Sequence, residues 1–509
     1  MSKIFITTAI DYVNSLPHIG TAYEKIGADV WVRFQRMLGN EVLFQMGNDE
    51  HSANVQKAAE VAGLTPKKYC DDMRPQFEKI WESLNISNNQ FIQTSDEKHK
   101  KVVYEFFDRV NKAGDIYEKD YEGWYCESCE AFYLEKDLEE GLCKNHKTKP
   151  KWLKEKNYFF RLEKYTDLLL KHIDDHPDFI LPAKRRNEVV NFIKQGLQDF
   201  SISRSTFTWG IPVPLNPKHV FYVWFDALIN YLSLLNLKSL DDLKTNEYWK
   251  NVTHIVGKDI TRFHCIIWPA MLMSAKLPLP KTIFGHGFVY LKGEKMSKSL
   301  GNVVTPLDIL QKFPDFGADA LRYYLMRTSS FGDDSDFTWD GFVERYNADL
   351  ANGLGNLASR ILGMVWKYQQ GKVFITTGIK ETTDHGLKIF VHEMETWNIH
   401  RALAHVWGFI TLVDQTIDQQ APWTKAKNGE TDSLSLVLAQ LVEQIRIICI
   451  LSYPFIPSSI EKIWNAYGFD SIKTLKDIRF TDSDKIFLQS THQLTAQKLN
   501  LFPRIVTPA

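Results

Sequence analysis

The chain is poor in the features that mark unusual proteins. Six cysteines among 509 residues are too few and too unevenly placed for a disulfide framework. Charge is almost balanced: 61 Lys and Arg against 62 Asp and Glu leave a formal net charge of −1. That argues against indiscriminate nucleic-acid binding, although local basic patches can still grip a partner. No internal repeat, low-complexity tract or long flexible linker is visible, and Met1-Ser2-Lys3 leads into a short strand rather than a signal peptide. No apolar run reads as approaching the ~18 residues that a membrane span requires. The expectation is a cytoplasmic protein with no membrane partner. With 44% hydrophobic and 24% charged residues, a chain of this length should form an ordinary globular protein of several domains.

What is present is concentrated in two short segments. Leu16-Pro17-His18-Ile19-Gly20-Thr21 follows the apolar run Ile4-Phe5-Ile6 and precedes a helical pattern at Ile26, Val30, Phe34 and Met37. His18 and Gly20 therefore stand where a strand turns into a helix. Free backbone N–H groups and the helix dipole favour a phosphate there, and glycine lets the backbone approach closely. Far downstream, Lys295-Met296-Ser297-Lys298-Ser299 brings two ammonium groups and neighbouring hydroxyls, which can neutralise charge developing on a triphosphate. Alone, the first is also an ordinary turn and the second a solvated loop. Together they describe a phosphate clamp.

Half of the cysteines cluster. Cys126-x2-Cys129 followed by Cys143-x2-His146 places three thiolates and an imidazole at spacings suited to one tetrahedral structural Zn2+. Four protein ligands leave no open position, so such an ion folds a knuckle rather than catalyses. Cys70, Cys265 and Cys449 lie outside it and read as small core residues. Lys144, Lys147, Lys149, Lys151, Lys154 and Lys156, with Lys184, Arg185 and Arg186 further on, form either a basic patch for a polyanion or a solvated face.

Residues 1–115 alternate strand-like and helical segments, as a helix-covered parallel sheet does. Residues 116–215 interrupt that alternation, and it resumes over 216–341, where Phe221-Tyr222-Val223-Trp224, His254-Ile255-Val256 and Thr282-Ile283-Phe284 read as strands. From 342 to 509 the period becomes helical, with Val343, Tyr346, Leu350, Leu354, Leu357, Ile361 and Met364, and later Leu438, Leu441, Ile445 and Ile448. The expected fold is an α/β Rossmann-like catalytic domain with a parallel sheet. It is split by a zinc-knuckle insertion and followed by an all-α helix bundle.

The two clamp segments resemble the His-Ile-Gly-His and Lys-Met-Ser-Lys-Ser signatures of class I aminoacyl-tRNA synthetases. Thr8 to Asn14, Gly47-Asn48-Asp49-Glu50-His51, Tyr222 to Ala227, Gly257-Lys258-Asp259-Ile260, Phe263-His264 and Trp268-Pro269 make the chain similar to the methionyl-tRNA synthetase family over essentially its whole length. Three departures stand out: Thr21 where the family usually has a second histidine, Asp11 where proline or tyrosine is common, and Leu228 where proline is frequent.

The resemblance implies L-methionine, ATP with Mg2+, and tRNA(Met) as substrates. It places His18, Gly20, Thr21, Lys295 and Lys298 in catalysis, and His18, Gly20, Asp259, Gly285, His286, Gly287, Lys295 and Lys298 on ATP. Ile10, Tyr12, Asp49, Trp224, Leu228, Tyr231, Ile260, Phe263 and His264 would hold methionine, with Asp49 on its ammonium and Tyr12 and His264 nearest its sulfur. A long apolar side chain with a weakly accepting sulfur suits an aromatic pocket with few polar atoms. Asn356, Arg360 and Trp423 would read the anticodon by stacking and base-edge hydrogen bonds. A monomer is expected.

Other classes fit less well. Relatives specific for leucine, isoleucine or valine carry large editing insertions, since one methylene supplies only ~1–3 kcal/mol of discrimination, and 116–215 is short for that. A cysteine-specific relative would need a catalytic zinc in the active-site half. A small-metabolite nucleotidylyltransferase has no use for the helix bundle, and a non-catalytic RNA-binding protein has none for His18, Asp49, Asp259, Lys295 and Lys298.

Overall fold

A computed structural model of the chain describes residues 1–126, 131–133, 135, 138–144, 147–296, 302–374, 383–482 and 491–506. Its centre is a seven-stranded parallel sheet. In chain order the strands are β1 (Lys3–Thr8), β2 (Asp11–Tyr12), β3 (Glu41–Asp49), β4 (Gln90–Gln93), β5 (Ile180–Leu181), β6 (Val252–Gly257) and β7 (Thr282–His286). Across the sheet the order is β2-β3-β1-β6-β7-β5, with β4 also paired to β3. Chain order and spatial order part at β1, whose neighbours are β3 and the much later β6. Such a reversal opens a crevice at the carboxyl ends of the strands. β1 and β6 are buried on both faces, as parallel strands covered on both sides must be.

Helix α1 (Ile19–Met37) starts where His18, in extended conformation, caps it: the side chain accepts from the Gly20 and Thr21 amides. Sheet on one side and helical domain on the other leave almost all of α1 buried. Its charged residues are therefore paired inside the protein, and Asp29 accepts from Arg33 at 2.8 Å and from Arg322 at 2.7 Å. Arg322 also donates to the Phe455 and Pro454 carbonyls, which ties α1 to the helical third.

The segment Phe221-Tyr222-Val223-Trp224 is not a strand of the central sheet. A short antiparallel strand ends at Phe221, and Val223 opens the next helix, α2 (Val223–Ser233). This helix is apolar nearly all round and buried nearly all round, so its sequence has no period by which to distinguish it from a buried strand. A separate four-stranded antiparallel sheet is built from Ala131–Tyr133, Ile116–Cys126, Lys151–Phe160 and Phe200–Ser201. Its register sets Lys156 opposite Asp120 and Lys154 opposite Glu122. Ion pairs Lys156–Glu118 and Lys154–Glu122 follow; outside the strands Lys147 pairs with Glu139, and Lys184, Arg185 and Arg186 pair with Asp333, Glu188 and Asp174. Six of the nine cations named in the basic stretch are thus paired with carboxylates.

The last third is mainly helical but not all-α as expected, because Lys372–Phe374 and Thr491–Gln493 pair as a small antiparallel sheet. It includes α3 (Asn356–Gln369), α4 (Ile399–Gln420), α5 (Pro422–Asn428), α6 (Thr431–Ser452) and α7 (Pro457–Ala466). Leu438, Leu441, Ile445 and Ile448 are fully buried on α6. This helix corrects the expectation that no apolar stretch reaches membrane length: its mean hydropathy is 1.9 over an 18-residue window. It is the core helix of the bundle, 83% buried over that window, with the buried Glu443 and Arg446 paired to each other.

Candidate active site

The crevice at the carboxyl ends of β1, β6 and β7 is a cleft of about 320 Å³. Ala9 to Tyr12, the cap His18, and Gly20, Thr21 and Glu24 of the first two turns of α1 form one wall. Trp224, Gly257, Asp259, Ile260, His286 to Val289, Lys295 and Met296 complete it. His18, Gly20 and Thr21 of the first clamp segment and Lys295 and Met296 of the second, remote in sequence, thus face one cavity. Ile19 N–H also donates to the Val304 carbonyl at 2.9 Å, which fixes the chain after the lysine segment against the start of α1.

His18 Nδ1 accepts from the Gly20 amide at 3.0 Å and the Thr21 amide at 3.3 Å. With Nδ1 an acceptor, the proton of a neutral ring sits on Nε2, which is then a donor. Thr21 lines the cleft with a hydroxyl but brings no charge. Asp259 lies exposed at the rim, and Gly257 makes room for it, since a Cβ there would come within 2.7 Å of Asp259 Oδ1. Lys295 Nζ lies 4.7 Å from the centroid of the Phe288 ring. Lys298 lies outside the described residues. Gly285 does not line the cleft; it packs under Thr261 and Arg185, where a side chain would collide.

The expected methionine residues fall into two layers. Ile10, Tyr12, Trp224 and Ile260 line the cleft, and Asp49 lies beside Tyr12 in strand register, 5% exposed. Phe263 stacks on Trp224 with ring centroids 3.8 Å apart. Leu228, Tyr231 and His264 are buried behind that stack and do not line the cleft. Phe263 and His264 belong to a π-helical turn, Phe263–Ile267, a feature common at functional sites. His264 Nδ1 donates to the Ile260 carbonyl at 3.0 Å, so Nε2 accepts from the Tyr231 hydroxyl at 2.7 Å. Burial lowers the His264 pKa to about 4, and the ring is neutral at neutral pH.

Two buried polar clusters support the cleft and were not legible beforehand. Lys25, on α1, is fully buried among Ala9 O, Asp11 and Glu24, and Glu24 reaches His286 Nε2 at 2.9 Å. Behind Trp224, Asp226 accepts from His51 Nδ1 and His99 Nε2, each at 2.6 Å. Burial works to raise the Asp226 pKa, but the histidines outweigh it and hold it at about 2. Asp226 thereby fastens α2 to the end of β3. The nearest sequence signal was the run of charged residues on an otherwise apolar helix, Glu24-Lys25 and Asp29.

In the bundle, Arg360 pairs with Asp414 at 3.0 Å and with Asp418, and its guanidinium lies 5.7 Å from the Trp423 ring centroid. Trp423 is 43% exposed, and Asn356 is exposed one turn before Arg360. These three side chains thus share one surface region at the α3–α5 junction. Of the four expected zinc ligands, Cys126 and Cys143 are buried, and Cys126 Sγ lies 3.6 Å from Thr148 Oγ1. Cys129 and His146 lie outside the described residues. Among the described residues no group of three metal-binding side chains occurs. Cys70, Cys265 and Cys449 are core residues, as expected.

A family profile described as tRNA synthetases class I (M) matches residues 4–143 and 133–362. A second, the anticodon binding domain of methionyl tRNA ligase, matches residues 376–505. The methionine–tRNA ligase of Fusobacterium nucleatum is 44% identical over 514 aligned residues, covering 99% of this chain and 80% of that protein. Its counterpart in Thermotoga maritima is 42% identical, covering 92% of this chain and 76% of its own length. Among solved structures, Mycobacterium tuberculosis methionyl-tRNA synthetase in complex with methionyl-adenylate superposes with a TM-score of 0.91 at 37% identity, covering 99% of this chain and all of that one. The apo form of the same enzyme gives 0.85 at 35% identity, covering 100% of this chain and 99% of that chain.

Proposed function

The chain belongs to the methionyl-tRNA synthetase family, and on that premise we propose that the cleft at the ends of β1, β6 and β7 is where it makes methionyl-adenylate. Its reaction is the ligation of L-methionine to the 3′-terminal adenosine of tRNA(Met) at the expense of ATP. The observation that carries the placement is convergence: Tyr12, His18, Gly20, Asp259 and Lys295, from both halves of the sheet, line one cleft.

In the first step a methionine carboxylate oxygen attacks the α-phosphorus of ATP, which enters with Mg2+, and pyrophosphate leaves as its bond to that phosphorus breaks. In the second, the hydroxyl of the terminal adenosine attacks the methionyl carbonyl carbon and AMP leaves. No covalent enzyme intermediate is needed, so the protein contributes position and charge. His18 Nε2 and the open backbone at Gly20 receive the phosphates, with Thr21 adding a neutral donor, and Lys295 and Lys298 stabilise the charge that builds on them. Asp259 accepts from the ribose hydroxyls, and His286 and Gly287 border the adenine. Asp49 takes the methionine ammonium. The Trp224–Phe263 stack stands between the cleft and the Tyr231–His264 layer, so the thioether reaches that layer when the stack shifts. Neutral His264 and its bond to Tyr231 then present polar atoms to the sulfur at no cost in buried charge.

We assign residues 1–115 and 216–341 to the catalytic halves, 116–215 to the insertion and 342–509 to anticodon binding. Asn356, Arg360 and Trp423 form the base-reading surface, where an exposed indole and a guanidinium are the groups that stack single-stranded bases. The buried thiols Cys126 and Cys143 fit a zinc site completed by Cys129 and His146. Zinc bound there supplies folding energy to the insertion and no chemistry. The reading is completed by a cytoplasmic monomer.

The test is pyrophosphate–ATP exchange with MgATP and, separately, methionine, leucine, isoleucine, valine and cysteine. Exchange with methionine alone, abolished by Lys298→Ala, is the expected result. Exchange with another amino acid refutes the methionine assignment, and exchange that survives Lys298→Ala refutes the role of the lysine segment.

A further inference from the structure

Along the wall of the cleft runs a chain of charge whose members Lys25, Glu24 and Asp11 have no part in the reaction as described. Lys25 Nζ donates to Ala9 O at 2.7 Å, Asp11 Oδ1 at 3.1 Å and Glu24 Oε1 at 2.7 Å, and an ammonium has only three protons to give. The other Glu24 oxygen, Oε2, meets His286 Nε2 at 2.9 Å, and His286 Nδ1 donates to the Gly287 carbonyl at 2.7 Å. One unbroken path therefore runs from Ala9 and Asp11, which flank Ile10 on the methionine side, to His286 and Gly287 on the nucleotide side.

The segment that Lys25 holds includes only a short strand. β2 is two residues long and pairs only with Asn48 and Asp49 of β3. Among the described residues Asp11 Oδ2 has no hydrogen-bond partner, although the side chain is 13% exposed and lines the cleft, and Lys25 is the cation paired with that carboxylate. Burial pushes the Asp11 pKa up to about 6 against the pull of Lys25. For Lys25 burial acts the other way, yet Asp11 and Glu24 together hold its pKa above the ordinary lysine value. Proline or tyrosine at position 11 could make no such pair, so the arrangement is tied to a departure of this chain from its family.

We propose that Lys25 and Asp11 are positioning residues for methionine: the buried ammonium braces Ala9 to Tyr12 so that Ile10 and Tyr12 keep their places in the methionine wall, and through Glu24 it ties that wall to His286. This rests on the assignment of Ile10 and Tyr12 to methionine made above. Removing the ammonium alone strands a desolvated carboxylate, which is worse than removing both partners.

The experiment measures pyrophosphate–ATP exchange by the full chain carrying Lys25→Met, Asp11→Asn or both, with separate KM values for methionine and ATP from pH 5.5 to 8 and a melting curve for each variant. Lys25→Met is expected to raise the methionine KM by about tenfold or more, with a much smaller change in the ATP KM. The double variant should recover part of that loss. In the unsubstituted protein the methionine KM should rise as pH falls through about 6, where Asp11 takes up a proton, and Asp11→Asn should flatten that rise. The charged groups near this carboxylate are Lys25 and Glu24 on α1, His18 at its cap, Asp49 on β3, Asp259 after β6, His286 on β7, and Lys295. Asp11→Asn isolates the contribution of Asp11 from theirs.

An unchanged methionine KM in Lys25→Met, or equal rises for methionine and ATP, or a double variant no better than Lys25→Met, would overturn the proposal. If Lys25→Met does not fold, the pH profiles of the unsubstituted protein and Asp11→Asn decide, and profiles that coincide overturn it. Tyr12→Ala and Asp49→Asn are run beside these. If they leave the methionine KM unchanged, the assignment of the methionine wall has failed; if they raise it while Lys25→Met does not, only the brace has failed.

Discussion

Gly20→Ala separates catalysis from folding with a single carbon. A Cβ at position 20 would lie 2.7 Å from His18 Cε1 and 2.9 Å from His18 Nδ1, but 3.6 Å from Met296 Cε, an ordinary contact. The imidazole must therefore move, while the helical backbone accepts alanine. Two stability effects oppose each other. Alanine in place of glycine favours the helix by up to about 1 kcal/mol, and losing the His18 side-chain cap costs about 1 kcal/mol. The melting temperature should barely change. Activity should not be spared, because the displaced ring carries Nε2 away from the phosphates. Loss of one positioned donor to developing charge lowers kcat by roughly 10²–10³-fold. The assay is pyrophosphate–ATP exchange at saturating methionine and MgATP, with thermal melting on the same preparation. Exchange within about threefold of the unsubstituted protein, where a lost donor predicts far more, would refute the role given to His18. Parallel loss of stability and activity would show instead that the cap is structural.

Three further outcomes follow from the same geometry. His264 has a folded pKa of about 4 against an ordinary value near 6.5, so between these the unfolded chain binds more protons. Stability therefore rises with pH across that window and is lost as pH falls; urea titrations at several pH values should show a shallower fall for His264→Asn, and identical slopes would contradict it. Trp423→Ala should raise the KM for tRNA by about tenfold, as loss of one base stack does, and leave pyrophosphate exchange unchanged; a loss of exchange would place Trp423 in the fold rather than at the RNA. Metal analysis of protein purified without chelator should find about one zinc per chain, reduced by Cys126→Ser, and finding none would refute the site.

The parts of this protein that could be read in its sequence are those whose chemistry is local. A capped strand-to-helix junction declares itself at His18-x-Gly20, because the cap and the amides it receives lie within three residues. The helical period of α6 is legible for the same reason, at Leu438, Leu441 and Ile445. Where local periodicity vanishes, the inference fails. α2 is buried nearly all round and read as a strand at Val223-Trp224. α6 is apolar enough to span a membrane, yet it lies inside a bundle. The lysine stretch read equally as a basic patch or a solvated face, and antiparallel pairing set Glu118 and Glu122 against it.

By itself, then, the sequence determined most of the elements, the family and the residue types expected to meet phosphate, methionine and RNA, since each is written in short segments with their own geometry. Only the tertiary structure decided which charges are paired and which side chains reach the cleft. Glu24 and Lys25 are neighbours on a helix that, seen alone, would turn them to water; packed between the sheet and the bundle they become the floor of the site, joined to Asp11 and His286. Tyr231 and His264 carry the expected chemistry but sit one layer behind Trp224 and Phe263. The physical reason is common to both: burial and Coulomb partners depend on distances across the fold, and no spacing along the chain records them.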